Sequence, residues 1–328
     1  MARNTNLDSV LFPVALRNVY YETRQRDPNG ETYAKHLVPR QRVVVNAELD
    51  TPIAIVGQDY RLIKNQEAIA FAEQCFKAFF KTTSANEIQV FNVIAPQSGS
   101  FCHIDFIHNG YEVNIWKSET WLPFIRLTNS YNRSRALRFD VGFVRKLCDN
   151  GVIYEQETIS FRLNHTKKDK GLEAQFFVGT DKIEKLKAQF IAQMQTLAES
   201  GVPEHLILPL VCMALQIDFD LESQDEKKRA KEHERLGAFR QDFDSLKTKY
   251  LNELGVSAYA VVNIVSDLAS RPLFATAPSM VTNTLQRRAG NWISDFTKAI
   301  KTDGFDWENY LDGWMHLAGQ TQLSLFAN

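Results

Sequence analysis

At 328 residues, with 44% hydrophobic and 23% charged side chains, the chain has the composition of a globular protein and can bury one large core or two ordinary ones. No apolar run approaches the ~18 residues that span a bilayer. Residues 1–10 lack a basic-then-apolar secretion pattern, and Cys75, Cys102, Cys148 and Cys212 form no CxxC pair, so a cytoplasmic protein with no membrane partner, disulfide framework, metal site or other cofactor is expected. The net charge is −1, but residues 1–170 hold 22 Lys and Arg against 18 Asp and Glu, a net +4, and the remainder 16 against 21, a net −5. A phosphate-bearing partner would meet the first half.

In chain order, residues 14–26 are rich in β-branched, aromatic and basic side chains and run into Asp27-Pro28-Asn29-Gly30. Proline there presets φ and Asn-Gly accepts positive φ, which predicts a turn. Second and third strands are expected over residues 37–49 and 53–63. Asn65 offers an N-cap for a helix over residues 66–81, whose Ala68, Phe71, Ala72, Cys75, Phe76 and Phe79 recur at helical spacing. From residue 87 the period returns to two, and strands are expected over 88–94, 100–108, 111–116, 136–147 and 153–163.

Beyond Thr180 the pattern turns helical. Asp181 and Glu184 form a capping box before the apolar face of Leu186, Phe190, Met194 and Leu197. Gly201-Val202-Pro203 ends that helix, and proline starts the next, through Gln216. Residues 223–250 are strongly charged with sparse apolar positions, the pattern of a long solvated helix or helical pair. Further helices are expected over 257–270, 282–301 and 307–317, the last placing Trp307, Tyr310, Leu311, Trp314 and Leu317 on one face. Strands gathered before helices predict an α+β fold, with an antiparallel β-rich first half holding one packed helix and an α-helical second half. The expected division is a β-rich domain over 1–178, a helical region over 179–319 and a flexible tail over 320–328.

Three stretches carry a family resemblance. The first is Ile55-Val56-Gly57-Gln58-Asp59-Tyr60-Arg61-Leu62-Ile63-Lys64-Asn65-Gln66-Glu67-Ala68. The second runs from Leu127-Thr128-Asn129-Ser130-Tyr131 through Ser134, Ala136-Leu137-Arg138 and Val144-Arg145 to Leu147-Cys148-Asp149-Asn150-Gly151. The third is Ser257-Ala258-Tyr259-Ala260-Val261-Val262-Asn263. Together they resemble the phage/plasmid-like protein family, over roughly residues 35–300. That family is carried by phages, plasmids and integrative elements and has no settled activity, so the resemblance implies a genetic setting without a mechanism. The meander followed by one packed helix also resembles the core of phage single-strand annealing proteins of the Red-beta, Erf and RecT kind, on topology alone.

The segment 126–146 is the candidate nucleic-acid surface. Arg126, Arg133, Arg135, Arg138, Arg145 and Lys146 face a single acid, Asp140, with Tyr131, Phe139 and Phe143 interleaved. Arginine reaches phosphate oxygens and aromatic rings stack on unpaired bases, while Asn129, Ser130 and Asn132 add neutral donors. The candidate contact set is Arg126, Asn129, Ser130, Tyr131, Arg133, Arg135, Arg138 and Lys146. A solvated edge strand with core aromatics is the competing reading, and Asn-Ser-Tyr-Asn also suits a turn. Arg17, Arg24, Arg26, Arg40 and Arg42 would extend the basic surface if they share a face. His103, Asp105 and His108 lie close together, but His108 falls on the opposite strand face, so a structural role is expected over a metal site. The sequence holds no GxGxxG, GxxxxGK[ST] or GxSxG, and binding is expected over catalysis.

Gln322-Leu323-Ser324-Leu325-Phe326 looks like the peptide by which bacterial polymerases, mismatch-repair proteins and phage replication factors bind the sliding clamp. The resemblance implies that Leu325 and Phe326 fill an apolar pocket, Leu323 adds a smaller contact and Gln322 fixes register. Burying two large apolar side chains contributes ~3–6 kcal/mol before the tail's ordering cost. Docking of Leu323, Leu325 and Phe326 on the protein's own core is the alternative. The expectation is a mobile-element accessory protein that binds or anneals single-stranded DNA, with the sliding clamp and further copies of itself as partners. An anti-defence protein that binds a host immunity protein instead of DNA is the rival.

Overall fold

The computed structural model describes residues 5–27, 30–80, 87–108, 110–116, 119–147, 150–154, 161–163, 165, 181–271 and 278–317. Its strands are β1 (Val14–Asp27), β2 (Gly30–Asn46), β3 (Thr51–Gly57), β4 (Ile88–Ile94), β5 (Phe101–His108), β6 (Val113–Trp116), β7 (Glu119–Ser130), β8 (Leu137–Arg145), β9 (Gly151–Ile153) and β10 (Phe161–Leu163). Helix α1 (Asn65–Phe80) lies between β3 and β4. Helices α2 (Asp181–Glu199), α3 (Ile207–Leu215), α4 (Glu226–Leu254), α5 (Ala258–Ser270), α6 (Pro278–Ile300) and α7 (Trp307–Leu317) follow the last strand. The fold is α+β. Among the described residues, β1-β2-β3 form one antiparallel sheet, and a second runs in the order β10-β8-β7-β5-β4, with β6 added to β7 and β9 to β8.

The chain forms two compact units that are not its two halves. Residues 1–110, 124–141 and 159–180 make the first, and residues 111–123, 142–158 and 181–328 the second. The physical reason is the length of β7 and β8. One end of β7 pairs with β5 in the first unit, and the other pairs with β6 in the second. Likewise β8 pairs with β10 at one end and β9 at the other.

Strand β7 is absent from the sequence-based expectation. Eleven of its twelve residues are buried, so both faces are covered and the period-two signal vanishes. Pro123 also argues against a strand on sequence grounds. It lies between the residues paired with β6 and those paired with β5, where a missing N–H breaks no recorded pair.

In the first unit Val14, Val44, Val56, Tyr60 and Tyr131 form a core cluster with Phe12, Leu16, Ile53 and Leu62 packed on it. Phe71 of α1 meets Phe139 at 5.7 Å between ring centroids. Asn65 opens α1 without capping it by its side chain, which donates to Val10 O at 2.8 Å and accepts from Asn129 Nδ2 at 2.8 Å.

In the second unit α5 is buried from Ala258 to Ala269, and α2, α3, α4, α6 and β9 all pack against it. Ser257 caps it by accepting from Ala260 N. The charged stretch forms one helix, α4, which buries only Leu236, Phe239, Phe243 and Tyr250. Phe190 of α2 stacks on Phe143 at 4.0 Å and meets Trp121 edge-on. At Gly290 a Cβ would run into the carbonyl of Ile153, so only glycine lets α6 approach β9 this closely. No described helix is long and apolar enough to cross a membrane.

Candidate nucleic-acid interface

The structure turns much of the predicted contact set inward. Arg126 is buried, and its Nε and Nη2 each donate to an Asp105 carboxylate oxygen at 2.6 Å. Asn129 is buried and donates to Ile63 O at 3.0 Å and to Asn65 Oδ1. Ser130 Oγ donates to Arg135 O at 2.6 Å and accepts from Arg135 N. Tyr131 sits in the core with its hydroxyl accepting from Asn65 N at 3.0 Å, and burial raises its pKa. Phe139 and Phe143 are buried as well, which removes the predicted stacking platform. The error lies in reading a fully buried strand and its turn as a surface: once desolvated, these polar groups must bond inside the protein.

Three of the remaining candidates are engaged. Arg138 donates from Nε to Asp140 at 2.6 Å, Lys146, in the second unit, pairs with Glu112, and the Arg135 guanidinium lies 4.1 Å over the Phe101 ring. Arg133 differs. It is exposed, and its backbone is left-handed at φ 62°.

Around Arg133 the first unit gathers arginines that come from separate parts of the sequence. Its Nη1 comes within 4.0 Å of the Cβ position of Gly57, and its charge acts on the Tyr60 phenol, whose pKa burial nevertheless raises. Arg42 of β2 pairs with Val56 of β3, and Gln41 with Gly57. Arg40 accepts at its carbonyl from Gln58 N at 2.9 Å and, like Arg133, has a left-handed backbone, at φ 63°. Arg61 follows Tyr60, and its main-chain N–H donates to His165 O. Arg40, Arg42, Arg61 and Arg133 are thus rooted around the turn at residues 56–61. Arg40 and Arg133 are exposed and the other two half-buried, with Asp59 the acid within the turn. None of the four is ion-paired with a described residue.

The turn is held rigidly from below. Tyr60 donates its hydroxyl to Ser130 O at 3.0 Å and stacks on His165 at 5.3 Å. His165 Nδ1 donates to Arg61 O at 3.2 Å, and burial lowers the pKa of this imidazole. Left-handed backbone costs a non-glycine residue ~1–2 kcal/mol. Glycine or asparagine would relieve it, and among the described residues Arg40 and Arg133 share this backbone with Asp50 and Gln216. Sequence reading missed the cluster because only Arg133 lies in the basic segment. Arg40 and Arg42 lie far from it in sequence, and their location beside the turn depends on the β2–β3 register.

The other candidate chemistry is internal. His103 is buried with Nδ1 against Thr128 Oγ1 at 2.8 Å, and His108 approaches Glu87 and stacks on Phe76. Among the described residues no group of three His, Cys, Asp or Glu is arranged to hold a metal ion. Burial pushes the Cys102 thiol up to about 12, which suppresses the thiolate needed for nucleophilic or redox chemistry. The peptide Gln322, Leu323, Ser324, Leu325 and Phe326 lies outside the described residues.

A family model described as Domain of unknown function (DUF932) matches residues 52–288, more than two thirds of the chain. The chain belongs to this family. Comparison with curated proteins and with solved structures gives no match. Within the DUF932 domain, the three motifs singled out in the sequence converge by pairs. In the first unit the first motif meets the start of the second through Tyr60–Ser130, Asn65–Tyr131 and Asn129–Ile63. In the second unit the end of the second meets the third. There Arg145 bonds Glu119 at 2.6 and 2.8 Å and Glu253 at 2.5 Å, while Tyr259 donates to the same Glu119 at 2.8 Å. Asn150 donates to Tyr250, which donates to Asp267. Most motif residues are joints of the fold, and Arg61 and Arg133 are the motif-region arginines at the candidate surface.

Proposed function

We propose that this protein is a DNA-binding accessory factor of a phage, plasmid or integrative element, and that Arg40, Arg42, Arg61 and Arg133 grip the phosphates of single-stranded DNA. The observation that carries this reading is the pair of exposed arginines on left-handed backbone, which with Arg42 and Arg61 are rooted on or beside one braced turn and are unpaired with any described acid. Guanidinium groups bind phosphate with fork geometry and release condensed counterions as they do so. The meander with one packed helix, which resembles the core of phage annealing proteins, favours single strands and annealing.

The test is fluorescence anisotropy of a labelled oligonucleotide against the full chain over a salt series. Four phosphate contacts give a log–log slope of about −3 on a single strand. Alanine at all four arginines flattens that slope and leaves the melting temperature within a degree or two. Absence of binding at low salt overturns the reading and favours the rival in which the protein contacts a host immunity protein.

Recruitment to the replication fork is the second part of the proposal and rests on the five-position match at residues 322–326. Deleting residues 321–328 abolishes calorimetric binding to a purified bacterial sliding clamp without shifting the melting temperature, as does Leu325→Ala with Phe326→Ala. Equal binding by wild type and truncation removes this part and leaves the arginine reading standing.

A further inference from the structure

The distal part of the β1–β2 hairpin is used neither by the core nor by the arginine turn. Beyond Asn18 the register shifts, and the pairing resumes at Tyr20↔Leu37 after a bulge that contains Pro39 and Arg40. From there to Asp27↔Gly30 the two strands run as an isolated ribbon, because β3 pairs only with residues 41–46 of β2. None of the side chains described over residues 20–26 and 31–37 is buried. A two-stranded ribbon that buries no face gains little from its own packing. Its exposed surface is nevertheless aromatic: Tyr20 is 55% exposed, Tyr21 52% and Tyr33 61%.

Paired residues share a face, so one face of the ribbon carries Tyr20 beside Leu37, Glu22 beside Lys35, Arg24 beside Tyr33 and Arg26 beside Glu31. Along it the two rings stand among ion pairs, Lys35 with Glu22 and Arg24 and Arg26 with Glu31. Tyr20 and Tyr33 stand four residue steps apart, ~13 Å along the ribbon, far enough for each ring to take a different base. Tyr21 lies on the other face, stacked on His36 at 5.1 Å. Over residues 14–46 six Lys and Arg face three Asp and Glu, and Arg40 and Arg42, beside the arginine turn, stand where the ribbon leaves the three-stranded sheet.

We infer that this ribbon is a base-stacking arm: Tyr20 and Tyr33 stack on unpaired bases of a single strand whose phosphates lie on the arginine turn. The inference rests on the phosphate-binding reading and adds to it the part of the ligand that distinguishes a single strand from any other polyanion. Two features favour nucleic acid over a protein partner. The face is built of two tyrosines, ion pairs of Arg24 and Arg26 with Glu31 and of Lys35 with Glu22, and Leu37 as its aliphatic residue, whereas the core of a protein interface is depleted of charge. The base of the arm, at Arg40, is also bonded to the turn read as the phosphate site, through Gln58 N and Arg40 O. Stacking on an aromatic ring is tolerant of sequence, because every base presents a π face, which suits a protein that coats or anneals strands.

The experiment compares two probes on the full-length protein, an oligothymidylate of about thirty nucleotides and an abasic strand of the same length. Wild type binds the oligothymidylate more tightly, by about tenfold for each stacked base. Tyr20→Ala with Tyr33→Ala brings that affinity down about a hundredfold to near that of the abasic strand, and leaves abasic binding unchanged. Tyr20→Phe with Tyr33→Phe retains the preference, since the ring is kept. Both side chains are exposed, so the fold survives, and an unchanged melting curve checks this. Equal wild-type affinity for the two probes, or an alanine variant that keeps the preference, overturns the arm inference and leaves the arginine turn intact. Failure of wild type to bind either probe overturns both readings. A fall in oligomeric mass on sedimentation of the alanine variant, with DNA affinity preserved, identifies the arm instead as a contact between copies of this chain.

Discussion

In the second unit Arg145 is fully buried, with two oxygens of Glu119 and one of Glu253 on its guanidinium. In the first unit Arg133 stands in solvent on a left-handed backbone, with no described carboxylate paired to it. Both come from one basic stretch of sequence and look alike there. Burial forces a charge to find partners, because an unpaired ion in a low-dielectric interior is very costly. Exposure imposes no such demand, because water solvates the charge. The contrast extends to Arg126, which is closed off by Asp105, and to Arg40, whose backbone matches that of Arg133.

The sharpest break of this comparison is at the buried side. Arg145→Ala leaves Glu119 charged and uncompensated, and urea unfolding should show a loss of about 3–5 kcal/mol. A loss below about 1 kcal/mol would mean that water reaches Glu119 and that the two arginines differ less than their burial indicates. A smaller effect of opposite sign is expected at the exposed side. Arg133→Gly relieves the left-handed backbone and should leave stability unchanged or raise it by up to about 1 kcal/mol. The same change should weaken oligonucleotide binding and make the salt slope shallower by about 0.7. A variant that loses both stability and binding would show that Arg133 serves the fold.

The smallest effect concerns His165, the brace beneath the turn. Burial depresses its pKa in the folded state, so below the unfolded value of about 6.5 the unfolded chain binds the extra proton. Its contribution to stability is therefore present above pH ~6.5 and lost as pH falls toward the folded pKa. Melting temperature should drop more steeply between pH 7.5 and 5.5 for wild type than for His165→Phe, which keeps a ring against Tyr60 and cannot titrate. Parallel curves would place the pH dependence elsewhere.

Much of the fold is legible in the sequence because local chemistry specifies it. The face of Leu186, Phe190, Met194 and Leu197 marks α2, and all four are buried. Strand β4 and helix α7 begin and end where periodicity places them. The α+β order follows from the change of period after residue 180. Strand β7 escapes for the opposite reason: buried on both faces and carrying Pro123, it has no local signature.

The candidate site divides along the same line. The sequence by itself determined that basic residues collect in the first half, that strands precede helices, and that the motif stretches mark a family; composition, period and residue identity are local properties. Only the tertiary structure decided which arginines are buried and which are exposed. It sent Arg126 and Arg145 inward to Asp105 and Glu119, and set the backbone of Arg40 and Arg42 beside the turn that carries Arg61 through the β2–β3 register. It also left Tyr20 and Tyr33 uncovered and put Tyr131 in the core. Accessibility and proximity are set by pairing between segments distant in sequence, so no window along the chain contains them.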